Sequence, residues 1–247
     1  MSRRLKTVPV IPVNEFQGSA QRLLGPFNEV ERRYAPEFLF GAGRQELLDR
    51  LPLVSVVGTR SPSSEGAELA AEVARTVVTH GGVVVSGLAR GIDTIAHRTA
   101  MACGGNTIAV LGTPLDRAYP SENGALQREL MENHLVITQY PNGHAVHRSN
   151  FVLRNRTMAL VSHGTIIVEA GEKSGTQHQG WEAIRLGRIL FIPQHLLSAT
   201  FDWPRKMRDY GAIVFSGCDE LVELLDEFLP SSPHSEDISG ACPLVGG

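Results

Sequence analysis

Three short stretches of this sequence bring glycine, a hydroxyl side chain and a cation together within a few residues. They read VVGTRSPSSEG (56–66), SGLARGID (86–93) and EAGEKSGTQ (169–177). Glycine lets the backbone approach an anion closely, and free N–H groups at a helix start attract negative charge. We therefore predict phosphate binding by these stretches. The residues assigned to it are Gly58, Thr59, Arg60, Ser86, Gly87, Arg90, Gly91, Lys173, Ser174, Gly175 and Thr176.

A fourth stretch, HRSNFVLRNRTMALV, places an aromatic residue beside a cation. If Asn150 caps a helix, Phe151 lies in its first turn, next to the loop that contains Arg148. A cation beside an exposed ring suits the stacking of bases in single-stranded nucleic acid. Phe151 could equally fasten the helix to the core, and the sequence leaves these two roles open.

Charge is distributed unevenly along the chain. The formal net charge is −3, yet residues 133–168 contain no Asp or Glu, and the seven acidic residues after position 218 are accompanied by no Lys or Arg. A local field, more than the net charge, steers an anionic ligand. Arg154 and Arg156 are two residues apart and so lie on different faces of a helix. We expect at most one of them, Arg154, to reach the ligand of Arg148, and the other to pair with a carboxylate.

The elements that must position these residues alternate along the chain from residue 53 onward. The predicted strands, which are apolar and rich in β-branched residues, are 53–57, 83–86, 107–112, 135–138, 165–169, 189–193 and 212–215. The predicted helices lie near 64–80, 93–103, 121–133, 150–162, 176–187 and 218–228. Continuous apolar runs indicate strands buried on both faces. We therefore predict an α/β fold, a doubly wound, mostly parallel sheet with helices on both faces.

In such a fold, ligands bind beyond the carboxyl ends of the strands. Because the three glycine-containing stretches follow predicted strands, we expect their loops to meet at this edge of the sheet. Asp93 follows the second loop, where it is expected to cap the next helix or stabilise its start by charge.

The motifs of several enzyme classes are absent. The sequence has no GxGxxG fingerprint, P-loop, HExxH, GxSxG or paired carboxylate motif. Asp93, His97, Glu169 and Glu182 are candidate catalytic residues, but nothing in the sequence gives His97 a partner, and we expect it to be structural. We predict a protein that is not an enzyme and that has no cofactor and no metal site.

The 247 residues suit one globular domain with appendages. We predict an irregular lead-in over 1–35, the α/β domain over 36–229 and a disordered tail over 230–247. The three cysteines are odd in number and lack CxxC spacing, so neither a disulfide framework nor a zinc site is expected. No apolar run approaches the roughly 20 residues that span a bilayer, which predicts a soluble cytoplasmic protein.

Taken together and in order, these motifs resemble the DNA-processing protein A family (DprA, also called Smf), from about residue 36 to residue 229. The stretch APEFLFGAGRQELL comes first. The further motifs are VGTR (57–60), SGLARGIDTIAH (86–97), TIAVLGTPLDRAYPSEN (107–123), QYP (139–141), FVLRNR (151–156), VEAGEKSGT (168–176) and GRILFIP (187–193). The resemblance implies an extended Rossmann-like core, here without a winged-helix domain, that binds single-stranded DNA without cleaving it.

The resemblance also implies roles for residues and partners. Arg60, Arg90 and Arg148 would contact the DNA, Phe151 would meet a base, and the Lys173–Thr176 loop would close the pocket. The family further implies a homodimer that aids DNA uptake in natural transformation and recombination, by protecting single-stranded DNA and loading the recombinase RecA.

The chain departs from the family pattern at two places near the predicted site. Leu153 stands where a proline is usual, and TQHQGWEA replaces an SLITA run at 176–183. Two other functions on the same fold stay open. One is a nucleotide-binding sensor. The other is a phosphoribohydrolase-like enzyme, although Gln179 stands where its motif PGGxGTxxE requires the glutamate.

Overall fold

The computed structural model describes residues 5–172, 174–198 and 200–230. Its strands are β1 (Val8–Pro9), β2 (Glu15–Ser19), β3 (Phe38–Gly43), β4 (Leu53–Val57), β5 (Val83–Ser86), β6 (Thr107–Leu111), β7 (Arg117–Ala118), β8 (Leu135–Thr138), β9 (Gly164–Ile167), β10 (Ile189–Pro193) and β11 (Ile213–Phe215). Its α-helices are α1 (Ala20–Leu24), α2 (Glu29–Tyr34), α3 (Ser64–Thr79), α4 (Ile92–Ala102), α5 (Gly124–Asn133), α6 (Arg148–Val161), α7 (Thr176–Arg185), α8 (Gln194–Ser198), α9 (Trp203–Asp209) and α10 (Cys218–Phe228). Short 3-10 helices span Gln45–Asp49 and Ser121–Asn123.

One sheet dominates the described part of the chain, with strand order β11-β10-β9-β4-β5-β6-β8-β3-β2. The pairs from β11 to β8 are parallel, whereas β3 and β2 are antiparallel additions at one end. The predicted mostly parallel sheet is confirmed. The chain proceeds from β4 through β5 and β6 to β8, and then returns to the other side of β4 as β9. This reversal is the topological switch point, where doubly wound folds place their ligands.

The two faces of the central strands explain their continuous apolar runs. In β5, Val83 and Val85 belong to the cluster that includes Met158 of α6, while Val84 belongs to the cluster that includes Val73 of α3. Helices α6 and α7 thus cover one face, and α3, α4 and α10 cover the other. Helices lie on both faces, as predicted.

The strands and helices predicted from residue 53 onward are all present, with bounds shifted by at most three residues. The short elements β7, α8 and α9 are not predicted, and the lead-in over 1–35, predicted to be irregular, contains β1, β2, α1 and α2. Strands β2 and β3 are not predicted either. Both mix exposed and buried residues and contain glycine, which weakens a local strand signal. A Cβ at Gly41 would overlap the ring of Phe16, so these two strands depend on a contact across the sheet. Of the predicted disordered tail, residues 231–247 lie outside the described residues.

The cysteines depart from the expectation. Cys103 is disulfide-bonded, so the expectation drawn from the odd cysteine count is wrong at this residue, whereas Cys218 is a free and buried thiol. In the part of the chain that the structure describes, no helix is long and apolar enough to cross a membrane.

Candidate nucleic-acid interface

Two adjoining cavities lie where the loops after β4 and β5 meet α6. The inner cavity has a volume of about 650 Å³ and the outer cavity a volume of about 820 Å³. Both are lined by Leu5, Arg60, Ala89, Tyr119, Arg148, Phe151 and Arg154. Because they share these walls, they form one continuous space, which we term the carboxyl-edge groove.

The loop between β5 and α4 forms part of the groove floor, and its shape is tightly specified. Leu88 is fully buried with φ of +57°. Gly91 has φ of +70°, and a Cβ there would lie 2.5 Å from the carbonyl oxygen of Thr59, so this turn requires glycine. Asp93 accepts hydrogen bonds from the backbone N–H groups of Gly87 and Ala89, each at 3.2 Å.

Of the two roles expected for Asp93, capping α4 is wrong, whereas its position as an acidic residue in the first turn fits stabilisation of the helix start by charge. The N-cap residue is Gly91, which has no side chain to accept a hydrogen bond, and Asp93 is the second residue of the helix. Its carboxylate turns back to the preceding loop instead. Asn123 holds the same loop from the other side, since its Nδ2 donates to the carbonyl oxygen of Leu88 at 3.0 Å.

Arg154 reaches beneath this loop from α6. Its Nη1 donates to the carbonyl oxygen of Gly87 and, at 2.8 Å, to that of Val110, and a Cβ at Gly87 would overlap the guanidinium. Burial lowers the pKa of Arg154 and raises the pKa of Asp93, and each of these charges opposes the shift of the other. Inside the protein the two charges compensate each other. Arg154 lines the groove, but its Nη1 is already hydrogen-bonded to the loop and the strand that form the groove floor.

The remaining predicted cations differ in their availability. Arg60 and Arg148 are exposed at the groove, and neither has an ion-pair partner among the described residues. Arg90 is exposed as well, but it forms an ion pair with Glu122 across the outer cavity. Hydrogen bonding to Glu122 raises the pKa of Arg90. Lys173 lies outside the described residues.

Phe151 packs against the body of the protein and also lines the groove. Its ring packs against Gly112, where a Cβ would lie 2.7 Å from Cδ1 of Phe151. The side chain is nevertheless only half-buried, and it lines both cavities. Tyr119 lies beside it, with ring centroids 5.0 Å apart and an interplanar angle of 53°. The groove therefore contains a pair of aromatic side chains.

The loop before α7 closes the inner cavity. Thr176 donates to the carbonyl oxygen of Gly58 at 3.0 Å, and Ser174 donates to the hydroxyl of Thr176 at 2.9 Å. Asn155 of α6 donates to the carbonyl oxygen of Gly175 at 3.2 Å. These bonds join the loops that follow β4 and β9, so the third predicted stretch does meet the first.

Two predicted phosphate donors are used within the protein. Ser86 is fully buried, and its hydroxyl donates to the carbonyl oxygen of Val56 at 2.7 Å; its assignment to phosphate binding is corrected on that ground. The N–H of Thr59 donates to the carbonyl oxygen of Glu169 at 2.8 Å. A Cβ at Gly58 would lie 2.5 Å from Cγ1 of Ile92, so this glycine is required by packing as well.

The candidate catalytic groups have structural partners. His97 is fully buried, and its Nδ1 is 2.7 Å from the hydroxyl of Thr107. Burial lowers the pKa of His97 to about 3, which keeps it neutral. Glu169 accepts hydrogen bonds from the backbone N–H and the hydroxyl of Ser63 at the start of α3, both at 3.1 Å.

Glu182, the fourth candidate, forms two ion pairs. Its carboxylate is 3.1 Å from Nε of Arg156 and 3.0 Å from Nη1 of Arg185. The expected pairing of one of the α6 arginines with a carboxylate is therefore confirmed for Arg156. The guanidinium of Arg156 also lies over the ring of Tyr34, 4.8 Å from its centroid.

Several groove residues are missed by the sequence patterns. Tyr119 and Asn155 line the groove and belong to segments quoted for the family resemblance, but no pattern gave either residue a role of its own. Leu5 and Lys6 precede every motif, and only their position in space brings them to the groove.

Comparisons with known proteins agree with this geometry. A sequence model of the family described as DNA recombination-mediator protein A matches residues 26–226. The chain is 40% identical to DNA processing protein DprA of Streptococcus pneumoniae over 80% of this chain and 70% of that protein. It is 31% identical to the Bacillus subtilis protein of the same name, over 78% of this chain and 65% of that protein. The resemblance drawn from the motifs is confirmed.

Comparison with solved structures also supports membership of this family. The crystal structure of DprA from Streptococcus pneumoniae superposes with a TM-score of 0.72 at 33% identity, covering 86% of this chain and 74% of that one. A Helicobacter pylori structure, described as giving insight into the single-stranded DNA binding mode of its DNA processing protein A, has a TM-score of 0.72 at 27% identity, covering 90% and 96%. A molybdenum cofactor binding protein of Rippkaea orientalis shares the fold alone, with a TM-score of 0.54 at 17% identity over 72% of this chain and 97% of that one.

Proposed function

Because this chain belongs to the DNA recombination-mediator protein A family, we propose that it binds single-stranded DNA in the carboxyl-edge groove. The observation that carries the proposal is the presence, in one groove, of the exposed cations Arg60 and Arg148 and the aromatic pair of Tyr119 and Phe151. Cations that neutralise phosphates supply affinity for any sequence, and aromatic faces accept any base. The binding described for the Helicobacter pylori relative supports the same ligand class.

The proposed contacts follow from the availability of each group. Arg60 and Arg148 neutralise phosphates directly, whereas Arg90 must first exchange the carboxylate of Glu122 for a phosphate. Phe151 and Tyr119 stack on bases. Lys173, which lies outside the described residues, is proposed to neutralise a further phosphate. The other residues assigned to DNA in this proposal shape the groove or offer backbone groups to the strand: Gly58, Thr59, Gly87, Gly91, Arg154, Ser174, Gly175 and Thr176.

We also propose that the protein binds DNA without cleaving it. Hydrolysis of a phosphodiester needs a positioned base or a metal-activated water. The candidate groups Asp93, His97, Glu169 and Glu182 are engaged in loop, strand, helix-cap and ion-pair contacts. This arrangement favours a binding surface over an active site.

The biological role is proposed from the relatives. The curated relatives bear the name DNA processing protein, which supports a part in DNA uptake, natural transformation and recombination. The chain spans 70%, 65% and 54% of the relatives from Streptococcus pneumoniae, Bacillus subtilis and Mycobacterium tuberculosis. Protection of single-stranded DNA, loading of RecA, assembly as a homodimer and a cytoplasmic location are therefore parts of this proposal.

Fluorescence anisotropy of a labelled oligothymidylate in a salt series tests DNA binding. We expect the affinity for the oligonucleotide to fall steeply as the salt concentration rises, and the labelled oligonucleotide to remain uncleaved after incubation. Absence of binding at low salt by folded protein would refute the proposal, and displacement of the DNA by free mononucleotides at low concentration would favour the sensor function instead.

A further inference from the structure

An N-terminal arm, Leu5–Val10, lies against the carboxyl-edge groove although it precedes the region that the family model matches. Leu5 is half-buried and lines both cavities, and the exposed Lys6 lines the outer one. An apolar side chain and a cation are thus added to the groove by a segment outside the family motifs.

The position of the arm is set by backbone pairing with the body of the protein. Strand β1 runs antiparallel to β7, with Val8 opposite Ala118 and Pro9 opposite Arg117. The N–H of Val10 donates to the carbonyl oxygen of Asp116 at 2.9 Å, and the Val10 side chain is buried. The arm is therefore held in place before any ligand arrives, which lowers the entropy lost on binding.

The same pairing brings the arm to the aromatic pair. Strand β7 ends at Ala118, and Tyr119 follows it directly. Leu5 lines the same two cavities as Tyr119 and Phe151. A base lying on the aromatic pair therefore has an aliphatic side chain among its neighbours, and burial of apolar surface between them stabilises the complex.

We propose that Leu5 and Lys6 are DNA-binding residues of this protein. Leu5 contacts a base that occupies the aromatic pair, and Lys6 neutralises a phosphate of the strand at the outer cavity. This inference rests on the proposed function, because it names further contacts for the same ligand. Sites for single-stranded DNA combine apolar contacts to bases with cations along the backbone, and the arm supplies one of each.

The test compares four variants of the full chain by anisotropy with labelled oligothymidylate. Leu5→Ala is matched by Ile11→Ala, which changes an 82% exposed aliphatic residue just beyond the arm. Lys6→Ala is matched by Lys206→Ala, which removes an exposed lysine from α9. Both control positions lie outside the groove lining. Thermal unfolding of each variant establishes that the fold is retained.

We expect Leu5→Ala to weaken binding about fivefold, less than loss of a stacking aromatic residue. Lys6→Ala should reduce the slope of log affinity against log salt by about 0.7, the value for one contact to single-stranded DNA. The two controls should match the wild type.

The outcomes separate this inference from the proposed function. Wild-type binding that both arm variants leave unchanged would overturn the inference alone. Tighter binding by Leu5→Ala would also overturn it, since the arm would then compete with DNA for the aromatic pair. No binding by the wild type would overturn the proposed function and the inference with it.

Discussion

The arginines of the carboxyl-edge groove lie in two layers that differ in burial. Side chains of the inner layer are buried, and side chains of the outer layer are exposed to solvent. In the inner layer, Arg154 is 5% exposed, donates to the carbonyl oxygens of Gly87 and Val110, and lies beside the buried Asp93. In the outer layer, Arg60 and Arg148 are exposed and have no ion pair within the described residues. The same side chain builds the floor in one layer and is available to a ligand in the other.

The difference has a physical cause. A buried guanidinium whose donors lack partners costs several kcal/mol, so Arg154 must use its N–H groups within the protein. An exposed guanidinium is hydrated and can exchange water for phosphate at little cost. A cluster of arginines therefore does not define a binding surface until the burial of each is known.

The largest expected effect comes from the inner layer. Arg154→Met should lower the free energy of unfolding by about 3–5 kcal/mol, because it leaves Asp93 without its compensating charge and two carbonyl oxygens without a donor. Urea denaturation measures this loss. Arg148→Met is the control, with an expected change within about 0.5 kcal/mol. Equal losses in the two variants would contradict the division into layers.

The next largest effect belongs to the outer layer and concerns affinity. Removing both cations in the double variant Arg60→Ala/Arg148→Ala should weaken binding of oligothymidylate at least about tenfold and flatten the salt dependence by about 1.4 in slope. The midpoint of urea denaturation should stay at the wild-type value. If the free energy of unfolding falls and the slope of log affinity against log salt is unchanged, these arginines belong to the inner layer.

The dependence of stability on pH tests the burial of a second residue near the inner layer, His97. His97 has its pKa lowered to about 3 by burial, with His134 and Arg154 acting in the same direction, from the ordinary value of 6.5. Between these values the unfolded chain binds a proton that the folded protein does not, so stability falls as pH falls. The contribution is about 1.4 kcal/mol per pH unit.

Denaturation of His97→Gln at several pH values measures this contribution. The other histidines with lowered pKa are common to both proteins, so the wild type should lose stability more steeply than the variant below about pH 6. Parallel profiles for the two proteins would show that His97 is not kept neutral by burial.

The smallest effect is expected at the outer cavity, where Arg90 and Glu122 form an exposed ion pair. Exposed pairs contribute little to stability, so Glu122→Gln should leave the denaturation midpoint unchanged. It should tighten DNA binding slightly, because Arg90 then has no carboxylate to give up. Asp219→Asn, on α10, is the charge-matched control. Weaker binding by Glu122→Gln would mean that the ion pair holds Arg90 in its binding position.

Much of the fold follows from local patterns. The central strands carry continuous apolar runs because both of their faces are buried, and those runs predict β4, β5 and β8 to the residue. Strands β2 and β3 escape prediction, since their pairing depends on the ring of Phe16 filling the space above Gly41. No window of sequence that holds one of these residues also reveals the other.

For the candidate site, the loops were predictable and the tasks of single residues were not. Ser86 and Arg60 both have side chains that can bind phosphate, yet Ser86 is fully buried and its hydroxyl donates to the carbonyl oxygen of Val56. Arg154 and Arg156 were separated correctly by helical periodicity, but periodicity does not specify which carbonyl or carboxylate each one meets. Tyr119 and Leu5 join the site through contacts between segments far apart in the chain.

By itself, the sequence determined the α/β class, the order of the seven parallel strands and of the six longer helices from residue 53 onward, and the three loops that carry glycine, hydroxyl and cation. These depend on periodicity and turn chemistry, which are local. Only the tertiary structure decided which arginine is buried, which hydroxyl donates a hydrogen bond to a carbonyl oxygen of the protein, and which N-terminal residues reach the groove. Those outcomes depend on desolvation and on hydrogen bonds between distant segments, and neither exists until the chain is folded.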